Sequence, residues 1–255
     1  MSLVNRIRQA AFASGLHFLA SCSMAILAAA LVFLVWFPYP YRDLSGGREL
    51  FLLVMGVDIV CGPLLTLVLF NPVKLRAELF RDMALVALIQ LGALGYGLWS
   101  VWQARPLYLV LEVDRFKVVT RPMLDEVELA ALPSELQARW WVGPTVVGIK
   151  EPKDRQAREK IMFEAVRGGR DYAEHPEFFL PYSGAVAVKA LIKAKPLAVF
   201  LQKKTDQTGA ANELAAFKRT DISQWTYLPV VARQDWIAVL DKQGQIQGFL
   251  KGDGF

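Results

Sequence analysis

The chain has 255 residues, 54% of them hydrophobic, and a net charge of +5 from 29 basic and 24 acidic residues. Those charges are mixed rather than gathered into a basic stripe, which excludes a nucleic-acid footprint. The two cysteines, Cys22 and Cys61, both fall in apolar runs and provide no disulfide framework.

Averages hide a break in composition near Gln103. Residues 1–103 hold 12 of the 53 Lys, Arg, Asp and Glu residues, and residues 104–255 hold the other 41. The first part, 1–103, reads as a membrane anchor. The second, 104–255, reads as a soluble domain large enough to bury its own core.

The first apolar run is 16–37, LHFLASCSMAILAAALVFLVWF, preceded by Arg6 and Arg8. A basic start and Ala28-Ala29-Ala30 also fit a cleaved secretory signal. The run continues apolar through 31–37, however, so an uncleaved helix is expected. Trp36, Phe37, Tyr39 and Tyr41 form an aromatic belt at its far end. Residues 38–49, with Pro38, Pro40 and Ser45-Gly46-Gly47, read as a short turn-rich loop.

The second span is 50–70, LFLLVMGVDIVCGPLLTLVLF, and the third is 83–103, MALVALIQLGALGYGLWSVWQ. At about 1.5 Å per residue each covers roughly 31 Å, the thickness of a hydrocarbon core. The N-terminus and the 71–82 loop carry Arg6, Arg8, Lys74, Arg76 and Arg81, whereas the basic residues of the 38–49 loop are offset by Asp43 and Glu49. The positive-inside rule puts the N-terminus and the 71–82 loop in the cytoplasm. Three crossings then put the domain on the other side, which in a bacterial inner membrane is the periplasm.

Asp58 is the costly residue of the second span. A carboxylate at the centre of a membrane helix costs about 2.5 to 3.5 kcal/mol on insertion scales. Gly62 beside it allows close approach of another backbone, and Pro63 removes the helical partner of the Ile59 carbonyl. Phe51, Val54, Met55, Asp58, Cys61, Gly62, Leu65 and Leu69 are expected on one face. The third span offers a facing stripe of Gln90, Ala93 and Gly97. Counting depth from the outer end predicts that Tyr96 donates to Asp58 and that the Gln90 amide satisfies the Ile59 carbonyl. Three roles stay open for Asp58: a polar clasp between helices, a partner-binding site, or a proton relay.

In the domain, 107–119 reads as one strand with Glu112, Asp114 and Arg115 on its polar face. Residues 124–132 and 133–137 read as short helices, 142–149 as a strand, and 153–167, 185–194 and 212–218 as helices. Segments 225–232, 236–240 and 246–250 form an antiparallel meander, so the expected fold is three transmembrane helices followed by an α+β domain. The spacing offers no metal-ligand set, His17 and His175 being far apart in the chain. No nucleophile motif surrounds His175, and Gly168-Gly169-Arg170 follows a helix rather than opening one. Asp114-Arg115 reads as a surface or domain–membrane salt bridge, and Trp140, Trp141, Phe178, Phe179 and Tyr182 as core. Neither a catalytic residue nor a cofactor is expected.

Four blocks carry a family resemblance: HFLASCSMAILAAALVFLVWFPYPY, SGGRELFLLVMGVDIVCGPLLTLVLF, ALIQLGALGYGLWSVWQARP and LEVDRF. Together they resemble the type IV pilin accessory proteins of the TfpX/TfpZ kind, densely from about residue 16 to 117. The resemblance implies an inner-membrane, non-catalytic protein that acts with a cognate major pilin, and possible contact with other inner-membrane pilus components and with lipid. It carries over the motif positions Asp58, Gly62, Pro63, Arg105, Pro106, Asp114 and Arg115. Two competing classes remain, a membrane-anchored ligand sensor and a small proton-coupled component using Asp58.

Overall fold

Among the described residues, three helices are long and apolar enough to cross a membrane, spanning Val4–Trp36, Gly47–Leu69 and Arg76–Gln103. The computed structural model describes residues 3–139, 141–150, 152, 154–203 and 224–255. The helix expected at 212–218 and Trp140 of the aromatic set lie outside the described residues. Contacts divide the chain into two units, one of residues 1–38 and 47–103, the other of residues 39–46 and 104–255.

In the first unit, α1 (Leu3–Leu31) runs into a π-helical turn (Val32–Trp36). Next in this unit is α3 (Gly47–Leu69), which continues unbroken through Pro63, and then α4 (Arg76–Gln103). The third helix therefore starts seven residues earlier than the apolar run. The stretch Arg76-Ala77-Glu78-Leu79 is made of good helix formers, with Glu78 in the first turn where the helix dipole favours an acid.

The second unit is built on a mixed eight-stranded sheet of order β4-β3-β1-β2-β6-β7-β8, with β5 paired to β6. Its strands are β1 (Pro106–Leu111), β2 (Phe116–Thr120), β3 (Thr145–Ile149), β4 (Phe179–Pro181), β5 (Lys195–Pro196), β6 (Thr226–Val231), β7 (Trp236–Leu240) and β8 (Ile246–Lys251). Strands β1/β3 and β2/β6 pair in parallel, and the other neighbours are antiparallel. The C-terminal meander is present as expected.

The single strand read over 107–119 is in fact a hairpin of β1 and β2. Four residues, Glu112-Val113-Asp114-Arg115, turn the chain, and the Glu112 amide closes them by donating to the Arg115 carbonyl at 2.9 Å. Three charges in four positions break the apolar alternation that a continuous strand would need. Of the two short helices expected around residue 130, α5 (Glu126–Ala130) forms, its N-terminal amides accepted by the Asp125 carboxylate. Residues 134–136 are instead a turn.

Side chains alternate across the sheet. Leu109, Leu111, Phe116, Leu228, Ala238 and Leu240 pack on one face, under α7 (Ala185–Lys193). On the other, Tyr108, Val110 and Val119 meet Leu124, Leu132 and Leu136. Ile237, Val239 and Tyr227 meet Leu197 and Phe200 of α8 (Leu197–Lys203).

Residues 39–46 complete the first face. The short helix α2 (Tyr41–Leu44) buries Tyr41 and Leu44 among those strand residues, and the Gln234 amide donates to the Leu44 carbonyl at 3.1 Å. Gly46 has φ +75°, and the Arg233 side chain fills the space where a Cβ would stand. The loop between the first two apolar helices is therefore part of the sheet domain's core.

Candidate functional site

Polar residues in the first unit converge along α3. Its buried positions are Gly47, Phe51, Met55, Asp58, Gly62, Pro63 and Thr66, a stripe of helical spacing. Asp58 is only 7% exposed, so its carboxylate is screened from lipid by neighbouring helices. One amide nitrogen of Gln90 on α4 donates to Asp58 Oδ1 at 2.8 Å and to the Asp58 carbonyl at 2.5 Å. Gly62 makes this approach possible, because a Cβ there would overlap the Gln90 amide.

Helix α1 closes the other side of the stripe. Ser14 Oγ donates to the Pro63 carbonyl at 2.8 Å, and His17 Nδ1 lies 2.6 Å from Thr66 Oγ1. Asp58, Pro63 and Thr66 thus form three successive rungs, the first tied to α4 and the others to α1. Polar side chains in this setting act as interhelical fasteners, each bond worth about 0.6 kcal/mol on average and at most about 1.7. Among the described residues the side-chain partner of Asp58 is Gln90, and these bonds tie α3 to α4.

Several sequence expectations are corrected here. Tyr96 is 70% exposed and stands beside Trp99, ring centroids 5.8 Å apart, and does not bond Asp58. The rotation of α4 turns Gln90 inward and Tyr96 outward, and Gly97 stands against Val54, so Tyr96 is not level with Asp58. Gln90 reaches the Asp58 carbonyl rather than that of Ile59. The buried face of α3 includes Thr66, while Cys61 and Leu65 are exposed. Gly97 faces Val54 of α3, so the small residues at 62 and 97 are occupied by the chain's own helix packing. Ser14, His17 and Thr66 were missed. The i, i+4, i+8 spacing of Asp58, Gly62 and Thr66 was the available signal, and Ser14 lay outside the assigned span.

In the sheet domain, Arg105 and Pro106 join α4 to β1. Arg105 is 5% exposed, and burial, followed by the nearby Arg121, pulls its pKa below the usual value. Asp114 and Arg115 bond each other at 2.7 Å on the β1–β2 turn, which holds Asp114 below the ordinary carboxylate range.

Among the described residues, two further ion clusters lie in the domain. Lys117 Nζ bonds Asp171 at 2.5 Å and Glu174 at 2.8 Å, and these bonds outweigh the burial that opposes its charge, raising its pKa. Glu112 alongside is pushed up, first by burial and then by Asp171. In the second cluster Glu128, His175 and Glu177 each bring one potential metal ligand atom within 4.8 Å of the others. The Arg170 guanidinium grips Glu128 with both terminal nitrogens and depresses its pKa. Arg170 pairs with that carboxylate, so the cluster as it stands is an ion-pair network.

The family model described as fimbrial assembly protein FimB matches residues 5–46. Two curated proteins of Dichelobacter nodosus, the fimbrial assembly proteins of serogroups I and E1, are 35% and 34% identical to the chain. Each alignment covers 96% of this chain and 96% of the relative. A third from the same organism, for serogroups C1 and C2, is 43% identical over 48% of this chain and 94% of its own length. No solved structure matches the chain. With similarity running through both the apolar helices and the sheet domain, the chain belongs to the family of fimbrial assembly proteins.

Proposed function

We propose that this protein is an inner-membrane accessory factor in type IV fimbria biogenesis, acting with a cognate major pilin and catalysing no covalent step. The observation that carries the reading is the similarity along nearly the whole chain to fimbrial assembly proteins, which includes all three apolar helices. A pilin awaiting assembly presents an apolar helix in the membrane and a folded head outside it. A partner with a helix bundle and a soluble domain can engage both parts, and joining two weak contacts in one chain raises the overall affinity.

The distribution of basic residues supports a cytoplasmic N-terminus and a periplasmic sheet domain. The polar rungs support a structural role for Asp58: they fasten the bundle and leave the lipid-facing sides of α3 and α4 for a partner. A deletion strain provides the test. Surface fimbriae should fall sharply when the gene is removed and return with the wild-type gene, while pilin itself still accumulates in the membrane. Unchanged surface fimbriae in the deletion strain would contradict the reading.

A further inference from the structure

A cleft of about 1140 Å³ opens on the sheet domain between the β1–β2 turn, α6 (Arg155–Val166) and α7. Leu111, Ile149, Tyr172 and Val186 lie along it. At its mouth three large apolar side chains face solvent, Val113 at 68%, Met162 at 51% and Ile192 at 74% exposed. Exposed apolar side chains grouped this way and rimmed by charge mark sites of protein contact.

The charges on its walls are unequal. Five cations, Arg115, Arg155, Arg158, Lys189 and Lys193, stand against three acids, Glu112, Asp114 and Glu159. Arg115 is held by Asp114, Arg155 by Glu159, and Arg158 donates to the Pro152 carbonyl. Glu112 accepts from the Ala173 amide, and Lys117 and Arg115 act on it through space. Lys189 and Lys193 are one helical turn apart on α7, and neither is in an ion pair among the described residues. Lys193 acts on Asp114 only through space.

We infer that this cleft binds an acidic, apolar segment of the pilin head, its carboxylates met by Lys189 and Lys193 and its apolar side chains by Val113, Met162 and Ile192. This rests on the proposed pairing with a pilin and adds where and by what chemistry the head is held. Complementary charge across such a surface governs partner choice and rate of encounter.

The test uses the full-length protein, purified in mild detergent from cells that make pilin, with the co-purified pilin quantified. The double variant K189E/K193E should recover at least about tenfold less pilin, and K189A/K193A an intermediate amount. Ile192→Ser should also lower recovery. These side chains are exposed, so the thermal melt of each variant should match wild type. Pilin recovery by K189E/K193E equal to wild type would overturn the inference and leave the pilin pairing standing. Wild-type protein that recovers no pilin would remove the pairing and the inference with it. Unchanged pilin recovery with weakened binding to phosphatidylglycerol vesicles would reassign the lysines to a lipid surface and overturn the inference.

Discussion

Gln90 holds Asp58 twice, with a single amide nitrogen donating to both its carboxylate and its backbone carbonyl. That pairing gives the one acid in the middle of the second apolar helix a partner on the third. Gln90→Ala should therefore loosen the bundle by roughly 1–2 kcal/mol, the worth of two interhelical bonds. Asp58→Asn keeps an acceptor facing Gln90 and should be close to neutral. Unfolding in mixed detergent micelles measures both, and equal stability of wild type and Gln90→Ala would show that the pairing contributes nothing.

Gly62→Ala tests the same contact from the other side. The added methyl meets the Gln90 amide, so α4 must shift or the bonds to Asp58 must break. Overpacking of this kind costs about 1–3 kcal/mol. Combining Gly62→Ala with Gln90→Ala should recover part of the loss, because the obstructing amide is gone. A strictly additive double variant would contradict the contact.

How much of this was legible before the fold was known differs by element. The three apolar helices and the meander of β6, β7 and β8 follow from run length and from alternation. Asp58, Gly62 and Gln90 were marked by polarity and size alone in apolar runs. Tyr96 was misassigned because matching depth along two helices says nothing about their rotation, which packing sets. Ser14 escaped because hydrophobicity, not the helix itself, defined the start of the first span, and His17 because its partner Thr66 sits on another helix. The join between β1 and the meander depends on the parallel pairing of β2 with β6, a long-range contact with no local signature.

The place of residues 39–46 was likewise invisible, since a loop rich in Pro and Gly reads as a connection only. Leu44 is fully buried in the sheet domain's core, so Leu44→Ala should destabilise that domain by about 2–5 kcal/mol. The loss should appear in the domain's own unfolding transition, followed by Trp236 fluorescence. A change confined to the helical transition would place Leu44 elsewhere.

Acid should weaken the domain partly through Glu128. Its bond to Arg170 lowers its folded pKa, so the stabilisation is present above the ordinary glutamate value of about 4.3 and fades as pH falls through the folded one. With both side chains about a third exposed, the pair is worth on the order of 1 kcal/mol. Glu128→Gln should melt a few degrees below wild type at pH 7, with the gap closing toward pH 3. A gap of constant size across that range would show that charge is not its source.

The central claim is that this chain meets a pilin inside the membrane. Photocrosslinkers placed on the exposed side of the bundle, at Val57 of α3 and Leu88 of α4, test it directly in intact cells that make fimbriae. The account predicts a crosslink to the apolar helix of the major pilin from at least one position, and none from a crosslinker at exposed Val127 on α5. Wild-type levels of protein and pilin with no crosslink from either helix would contradict it.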